Sequence, residues 1–336
     1  MIVTIRDVAK KSGYSITTVS RALNGFGDVN EQTREKIMAV AEELNYKPNR
    51  VARSLVSKTV NTMGLFVLGR SSFQQGFVAD LVSGLVDEAS AHDFDLLIFG
   101  TQSLRTGLPF QQLCHQRGVG GAVITGLKIT DPIIAELEAG DFPTVLIDVP
   151  IQGDKVTYVT FDNQHGVVQG IDYLCSLGHQ KIGFINGHME AWVCRERLAG
   201  FKSGLAKHNL PFIENDVYYG DFTKESGGTG VRLLKKKNPE LTAFMVASDL
   251  MAVGVLEELT TMGYAISKDV SVVGFDDQTF AALTAPTLTT IRQDEYQLGK
   301  IAAQKIIKLI NAPGYRPQAG ILDTSLVVRN STGKVQ

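Results

Sequence analysis

Four polar groups in the middle of the chain each stand directly after an apolar run. Asp148 follows Val145-Leu146-Ile147, Asn186 follows Gly183-Phe184-Ile185, Ser248 and Asp249 follow Ala243–Ala247, and Asp276 with Asp277 follow Val272–Phe275. Arg195 and Arg197 come shortly after Asn186, and Phe77 and Phe222 can supply flat apolar faces. Carboxylates that accept hydroxyl protons, an arginine that donates to ring oxygens and an aromatic ring against a C–H face make a sugar site. Charge-assisted bonds are the strong ones in such a pocket. Asp249 and Asp277 fit helix capping or loop bracing as well as ligand contact, and Trp192 and Phe73 fit either lining or packing. Asp148 and Asp276 can also be drawn as a glycosidase pair. Nothing around them supplies the hydrophobic setting that would make one a general acid. There is no Gly-x-Ser-x-Gly elbow, and His165, His179 and His188 lack metal-ligand spacing. No metal and no cofactor is expected.

Such residues converge only if the apolar runs are strands of one kind of sheet. Met63–Leu68, Asp95–Phe99, Gly121–Thr125, Thr144–Ile147, Lys181–Ile185, Ala243–Ala247 and Val270–Phe275 read as strands. They are near-continuous apolar runs, as expected when helices cover both faces of a sheet. Helical patterns at Phe77–Ala91, Gln164–Leu177 and Leu250–Met262 alternate with them, which implies α/β with parallel sheets. In such a sheet ligands bind outside the carboxyl ends of the strands. The glycines at 227, 228 and 230 lie inside a helical pattern at Thr223–Lys237. No strand feeds them and no Gly-Lys-Ser/Thr follows, so they are not a phosphate loop. A last helical pattern, Asp294–Ile310, precedes a strand-like Gly320–Val328.

The first fifty-eight residues differ in kind. Thr4 stands three before Asp7, the spacing of a capping box. Gly13 ends one short helix, Ser15 caps a second, and Asn30 followed by Glu31 opens a third. Pro48 should close that third helix. Val8, Ala9, Val19, Ala22, Leu23, Ile37, Val40, Ala41 and Leu44 sit at helical spacing and form the core of a small bundle. Helix, Gly-containing turn and helix is the helix-turn-helix, whose second helix enters the DNA major groove. Ile16, Thr17 and Arg21 then face base edges, while Ser15, Thr18, Ser20 and Asn24 fit phosphate contacts. Val51, Ala52 and Leu55 share one face of a possible short helix, too short to stand alone in water.

Charge separates the two parts. The whole chain of 336 residues has formal net charge -2. Residues 1–58 hold ten Lys+Arg and six Asp+Glu, giving +4, so the remainder holds 33 − 10 = 23 basic and 35 − 6 = 29 acidic residues, giving -6. A basic head on an acidic body suits DNA reading by the head alone, and an excess of four favours two heads on one DNA. Cys114, Cys175 and Cys194 are too few and too scattered for a disulfide framework, so reduced, mostly buried thiols are expected. No signal-peptide pattern and no run of the ~20 apolar residues needed to span a bilayer appears. A cytoplasmic location without membrane contact follows as the expectation.

The order Thr4-Ile5-Arg6-Asp7-Val8-Ala9, Ser12-Gly13, Thr18-Val19-Ser20-Arg21, Asn24, Thr33-Arg34 and Tyr46-Lys47-Pro48-Asn49 resembles the lactose-repressor (LacI/GalR) family of transcription regulators. In the body, Leu177-Gly178-His179, Val273-Gly274-Phe275-Asp276-Asp277 and Leu288-Thr289-Thr290-Ile291 extend the resemblance across the chain. It implies an all-α helix-turn-helix domain at 1–47 and a hinge helix at 48–59. A type I periplasmic-binding-protein-like core of two doubly wound lobes follows, 60–160 plus 293–320 and 161–292 plus 321–332. Three crossovers would fall near Thr160–Asp162, Thr289–Gln293 and Ile321–Thr324. By resemblance the DNA-contacting set also takes in Thr4, Asn49, Ala52, Arg53 and Leu55, with Leu55 wedged into the minor groove. The effector-binding set is Phe77, Asp148, Arg197, Phe222, Ser248, Asp276 and Gln293. Ser248 and Glu295 depart from the lactose-repressor branch, which has an amide and an aromatic there, so lactose itself is not implied. The expectation is a homodimeric repressor of sugar-utilisation genes, released from a palindromic operator by a sugar. The chain stops shortly after Val328 without a leucine-heptad tail, hence dimer rather than tetramer. A purine-type corepressor-dependent regulator, a phosphoprotein-dependent catabolite regulator and a transport solute-binding protein are the alternatives.

Overall fold

The computed structural model describes residues 3–46, 60–69, 76–104, 107–312 and 314–335. The hinge expected at 48–59, with Asn49, Ala52, Arg53 and Leu55, lies outside the described residues, as does Phe73. Two compact units result, one ending at Asn61 and one beginning at Thr62.

The first unit is three helices, α1 (Ile5–Ser12), α2 (Ile16–Leu23) and α3 (Glu31–Glu43). The Asp7 carboxylate accepts from the Thr4 backbone N–H (2.8 Å) and hydroxyl (2.7 Å). Those bonds hold its pKa below the ordinary value. Gly13 ends α1 at φ 79, where a side chain would be strained. Val8, Ala9, Val19, Ala22, Ile37 and Ala41 are buried together, with Leu23, Val40 and Leu44 packed against them. Helix α3 stops earlier than Pro48. Leu44 caps it and Asn45 turns left-handed at φ 49, because asparagine tolerates that conformation and closes a helix as glycine does.

The second unit holds two six-stranded sheets. The first contains β1 (Thr62–Val67), β2 (Asp95–Gly100), β3 (Gly121–Thr125), β4 (Thr144–Ile147), β5 (Val156–Phe161) and β11 (Gly320–Leu322), in the order β11-β5-β4-β3-β1-β2 and all parallel. The second contains β6 (Ile182–Asn186), β7 (Val217–Tyr219), β8 (Ala243–Val246), β9 (Ser271–Asp276), β10 (Thr289–Arg292) and β12 (Ser325–Val327), in the order β12-β10-β9-β8-β6-β7, with β12 alone antiparallel. Helices α4 (Phe77–Ala91), α5 (Phe110–Gln116) and α6 (Ile133–Ala139) belong to the first sheet. Helices α7 (Asn163–Ser176), α8 (Trp192–Lys207), α9 (Lys224–Lys237) and α10 (Asp249–Thr261) belong to the second. The chain then returns, and α11 (Glu295–Asn311) packs Leu298, Ala302 and Ile306 into the first core. It passes between the sheets after β5, after β10 and after β11.

Some strands lie outside the apolar runs. β5 carries Thr157 and Thr160, and β10 begins Thr289-Thr290, all buried. Their hydroxyls are satisfied internally, Thr157 donating to Gln318 O at 3.1 Å and Thr290 to Asp249 Oδ1 at 2.6 Å, so burial costs little. Gly320–Val328 is not one strand. Ile321 and Leu322 pair with Thr160 and Phe161 in the first sheet, and Ser325 begins pairing in the second. The lobe boundary expected at 320/321 therefore moves to follow Leu322. The glycines of α9 have a packing role. A Cβ on Gly227 would lie 2.1 Å from Met251 O, and one on Gly254 1.9 Å from Lys224 O, so α9 and α10 cross backbone to backbone. Cys114 and Cys194 are buried, and burial raises both thiols to about 12. No helix among the described residues is long and apolar enough to cross a membrane, and no cluster of three metal-ligating side chains occurs among them.

Candidate functional site

Both sheets turn the carboxyl ends of their strands toward one cavity of about 290 Å³. The first sheet contributes Leu68 and Gly69 after β1, Thr125 to Lys128 at the end of β3, and Asp148 after β4; Phe77 opens α4. The second contributes His188 after β6, Trp192 and Arg197 from α8, and Phe222 ahead of α9. Ser248 after β8, Asp276 at the end of β9 and Gln293 after β10 complete that side. All seven residues of the expected effector set thus line a single space. Arg195, the other arginine of the pair, points away and donates to Met189 O at 3.0 Å. Residues two apart on a helix do not share a face.

Three of the seven sit on left-handed backbone, Asp148 at φ 63, Phe222 at φ 66 and Asp276 at φ 117. Non-glycine residues adopt such angles at a cost of ~1–3 kcal/mol, and they concentrate at ligand clamps. A phenylalanine there is the least ordinary of them. Asp148 is fixed by Thr160, whose hydroxyl donates to its Oδ1 at 2.7 Å. Arg197, 4% exposed, is fixed on four sides. It donates from Nε to Asn163 Oδ1 at 2.8 Å and from Nη1 to the Ala247 carbonyl. Its guanidinium stacks 3.8 Å over the Phe275 ring, and Nη2 lies 3.9 Å from Asp276 Oδ1. A guanidinium has five N–H donors, so some remain for a ligand.

Burial governs the electrostatics. Desolvation raises Asp148 despite its Thr160 bond and nearby Arg197. It lifts Asp276 to about 7, against the pull of Arg197. Behind the wall, Asp249 is fully buried and raised well above its ordinary value, first by burial and then by the charge of Asp276. Asp249 accepts from Gln278 N (2.8 Å) and Thr290 Oγ1 (2.6 Å). Asp277 binds Arg292 and Arg329, each at 2.6 Å. Both aspartates brace loops. Glu295, which stands where the lactose-repressor branch has an aromatic pocket residue, is absent from the lining. It is buried, pushed up to about 9 by burial and then by Asp276, and accepts from Gln278 Nε2 at 3.0 Å.

His188 was not singled out from the sequence. It stands edge-on to Phe222 at 5.6 Å, and its buried Nδ1 has no hydrogen-bond partner. Burial, followed by Lys128, lowers its pKa, so the ring is neutral at pH 7. The usable signal was its place two residues beyond the Asn186 strand end. His179 is structural, bonded to Thr242 Oγ1 and Ser271 Oγ at 2.9 Å each. A larger cavity of about 600 Å³ lies in the first lobe. Its walls are mainly apolar, and its polar groups are engaged locally, Asp131 by Lys128 N and Glu136 by Phe110 N. It gathers no convergent polar set.

In the head, Ile16, Thr17 and Arg21 are exposed on α2, opposite the buried Val19 and Ala22. Ser15 is the α2 cap, accepting from Thr18 N at 3.1 Å and sharing a 2.8 Å bond with the Thr18 hydroxyl. Asn24 donates to Ser20 Oγ at 3.4 Å. Arg21 is held by Asp28, with bonds of 3.1 and 2.5 Å, and lies over the Phe26 ring.

Residues 4–49 match the family "Bacterial regulatory proteins, lacI family", and residues 171–332 match a periplasmic binding protein-like domain. A probable HTH-type transcriptional repressor of Bacillus subtilis (strain 168), ExuR, is 30% identical over 99% of each chain. The chain belongs to the lacI family. As in its relatives, that makes it a transcriptional repressor and not an enzyme. Two solved structures carry the likeness into three dimensions. The regulator CelR in complex with cellobiose is 30% identical, with TM-score 0.76 over 98% of this chain and 99% of that one. The lac repressor dimer bound to operator and the anti-inducer ONPF is 30% identical, with TM-score 0.83 over 99% of both. This lacI-family chain has the helix-turn-helix head and the two-lobe α/β core of those neighbours.

Proposed function

We propose that the chain is a homodimeric repressor of sugar-utilisation genes, released from a palindromic operator when a sugar binds between its lobes. The observation that carries the reading is the cavity. Asp148, Arg197, Ser248, Asp276 and Gln293 come from both sheets to one space, with Phe77, Trp192 and Phe222 as flat walls. A few convergent polar groups among apolar ones are what orients a small ligand, and about 290 Å³ sits at the low end of ligand-pocket sizes, ~300–1,000 Å³. A solved relative binds cellobiose, and another is a dimer on its operator.

Release follows from linkage. The lobes touch beside the cavity: Ile129 N donates to Glu190 O at 2.9 Å, and Lys128 Nζ pairs with Glu190 Oε2 at 2.5 Å. Gln278 and Glu295 bridge them again. A sugar that contacts both lobes favours their closed arrangement, and it lowers operator affinity only by its differential affinity for the two states. In this reading Ile16, Thr17 and Arg21 face base edges, Ser15, Thr18, Ser20 and Asn24 position the head on the phosphates, and Thr4 belongs to the same DNA-contacting set. Asn49, Ala52, Arg53 and Leu55 form the joint. A thermal-shift screen of the full chain against mono- and disaccharides, sugar phosphates and purines tests the ligand class, since a ligand of the native state raises Tm by mass action. Stabilisation by purines alone would refute it.

A further inference from the structure

Arg21 carries the longest side chain of α2 and stands in its last turn, one turn beyond Thr17 and on the exposed side opposite Val19 and Ala22. A recognition helix meets base edges mainly through its first residues, so only a long side chain reaches them from that turn. A long side chain also has many rotamers, and its surroundings decide which one is presented. Asp28 takes one edge of the guanidinium with both oxygens. Its Oδ1 accepts from Arg21 Nε at 3.1 Å, and its Oδ2 lies 2.5 Å from Nη2. The centroid of the Phe26 ring lies 5.0 Å from the guanidinium carbon. The turn that carries Phe26 and Asp28 is itself held. Phe26 N donates to Arg21 O at 3.1 Å, Arg34 of α3 donates from Nη2 to Phe26 O at 2.8 Å, and Val29 packs against the head core.

We infer that Asp28 is a positioning residue for DNA reading: it holds Arg21 so that the outer edge of the guanidinium meets a guanine, and it thereby sharpens base preference at one pair of each half-site. The inference rests on the reading of α2 as the helix that faces base edges, and it deepens that reading. A guanidinium has five N–H donors, and Asp28 engages the edge formed by Nε and Nη2. The opposite edge, formed by Nη1 and the second N–H of Nη2, is a fork that matches O6 and N7 of guanine. A carboxylate near the phosphates lowers affinity for every sequence alike. Fixing the arginine before binding acts differently. It removes an ordering cost, and the benefit appears only where a base accepts both bonds. An exposed ion pair adds little to stability, so a substitution at Asp28 leaves the head folded.

The test uses the full chain. Selection from a random duplex library with the wild type supplies a consensus operator. Fluorescence anisotropy then compares that operator, its single-pair variants and an unrelated duplex for wild type, Arg21→Ala, Asp28→Ala and Asp28→Asn. Replacing the G·C pair read by Arg21 should weaken wild-type binding on the order of 5- to 150-fold, and Arg21→Ala should abolish that penalty. Asp28→Ala should shrink the penalty at the same pair on the order of two- to tenfold and leave the penalties at other pairs unchanged. Asp28→Asn keeps one acceptor oxygen and should fall between. An Asp28→Ala chain that shifts affinity for all duplexes equally, up or down, has lost only charge or structure, and this overturns the inference while the reading of Arg21 stands. A larger penalty at that pair in Asp28→Ala means that the carboxylate holds Arg21 away from the base, which also overturns it. An Arg21→Ala chain with unchanged preference at every pair overturns the inference together with the base-edge reading.

Discussion

Replacing Asp276 by asparagine should make the protein more stable and worse at binding its effector. The carboxyl is raised from 3.8 to about 7, first because burial penalises its ionised form. A displacement of that size corresponds to roughly 4 kcal/mol against the ionised state. The side chain is 17% exposed, toward the cavity, so water recovers part of this and on the order of 2 kcal/mol remains. Asparagine keeps the shape and drops the charge. Arg197 keeps Asn163, Ala247 and Phe275 as partners, so its loss is small. At pH 8 the variant should gain on the order of 1–2 kcal/mol, or about 2–4 °C in Tm for a unit of this size. At pH 5, where the folded carboxyl is protonated and the unfolded one is still ionised, the gain should shrink to about a third, and it should vanish only below about 4. The effector loses a charge-assisted hydrogen bond of ~1.5–3 kcal/mol, which is roughly 10- to 150-fold in Kd. Differential scanning calorimetry at the two pH values and titration calorimetry with the effector read both effects. A variant less stable than wild type at pH 8, or one that binds the effector unchanged, would refute the reasoning.

Effector affinity itself should rise between pH 6 and 8. Asp276, raised to about 7 with Asp148, Asp249 and Glu295 around it and Arg197 opposing, binds its proton more tightly folded than unfolded. The stability it contributes is complete below about 4 and lost as pH rises through about 7. A sugar hydroxyl favours the ionised carboxylate, so titrations in buffers of different ionisation enthalpy should show proton release; proton uptake would contradict this. His188→Phe should weaken effector binding while leaving Tm unchanged or higher, because Nδ1 has no partner within the protein; a large loss of Tm would make the ring structural. Asp249→Ala orphans Gln278 N and Thr290 Oγ1. It should cost ~2–4 kcal/mol by denaturant titration, and a neutral result would deny its bracing role. Leu55→Ala should weaken specific operator binding and leave sugar binding unchanged, and equal operator affinity would remove the hinge proposal.

Part of the polar constellation was legible because its members follow apolar runs. Asp148, Ser248 and Asp276 terminate buried strands, and parallel topology forces strand ends to one side. Phe77 opens a helix that begins there, and Arg197 lies in the second turn of another. What escaped the sequence was polar residues made buriable by internal partners. Val156–Phe161 and Thr289–Arg292 are central strands whose threonines hide their hydroxyls in bonds to Gln318, Asp148 and Asp249, so no apolar run announces them. His188 escaped for the opposite reason, since an unpaired ring nitrogen in a cavity has no pattern to show. Glu295 has its place in α11, but only the packing reveals that its carboxyl is neutral and turned to Gln278. The turn at Asn45 ends α3 ahead of Pro48 because local left-handed geometry acts before the proline can.

The central claim is that occupancy of the cavity between the lobes controls the head. Fluorescence anisotropy of a labelled palindromic operator, titrated with the full chain, tests it most directly. The titration is run with and without the saturating effector, for wild type and for Asp276→Asn. The account predicts operator binding at least about tenfold weaker with effector for wild type, and no such change for the variant at the same effector concentration. Operator affinity unaffected or strengthened by a sugar that binds the cavity would contradict it.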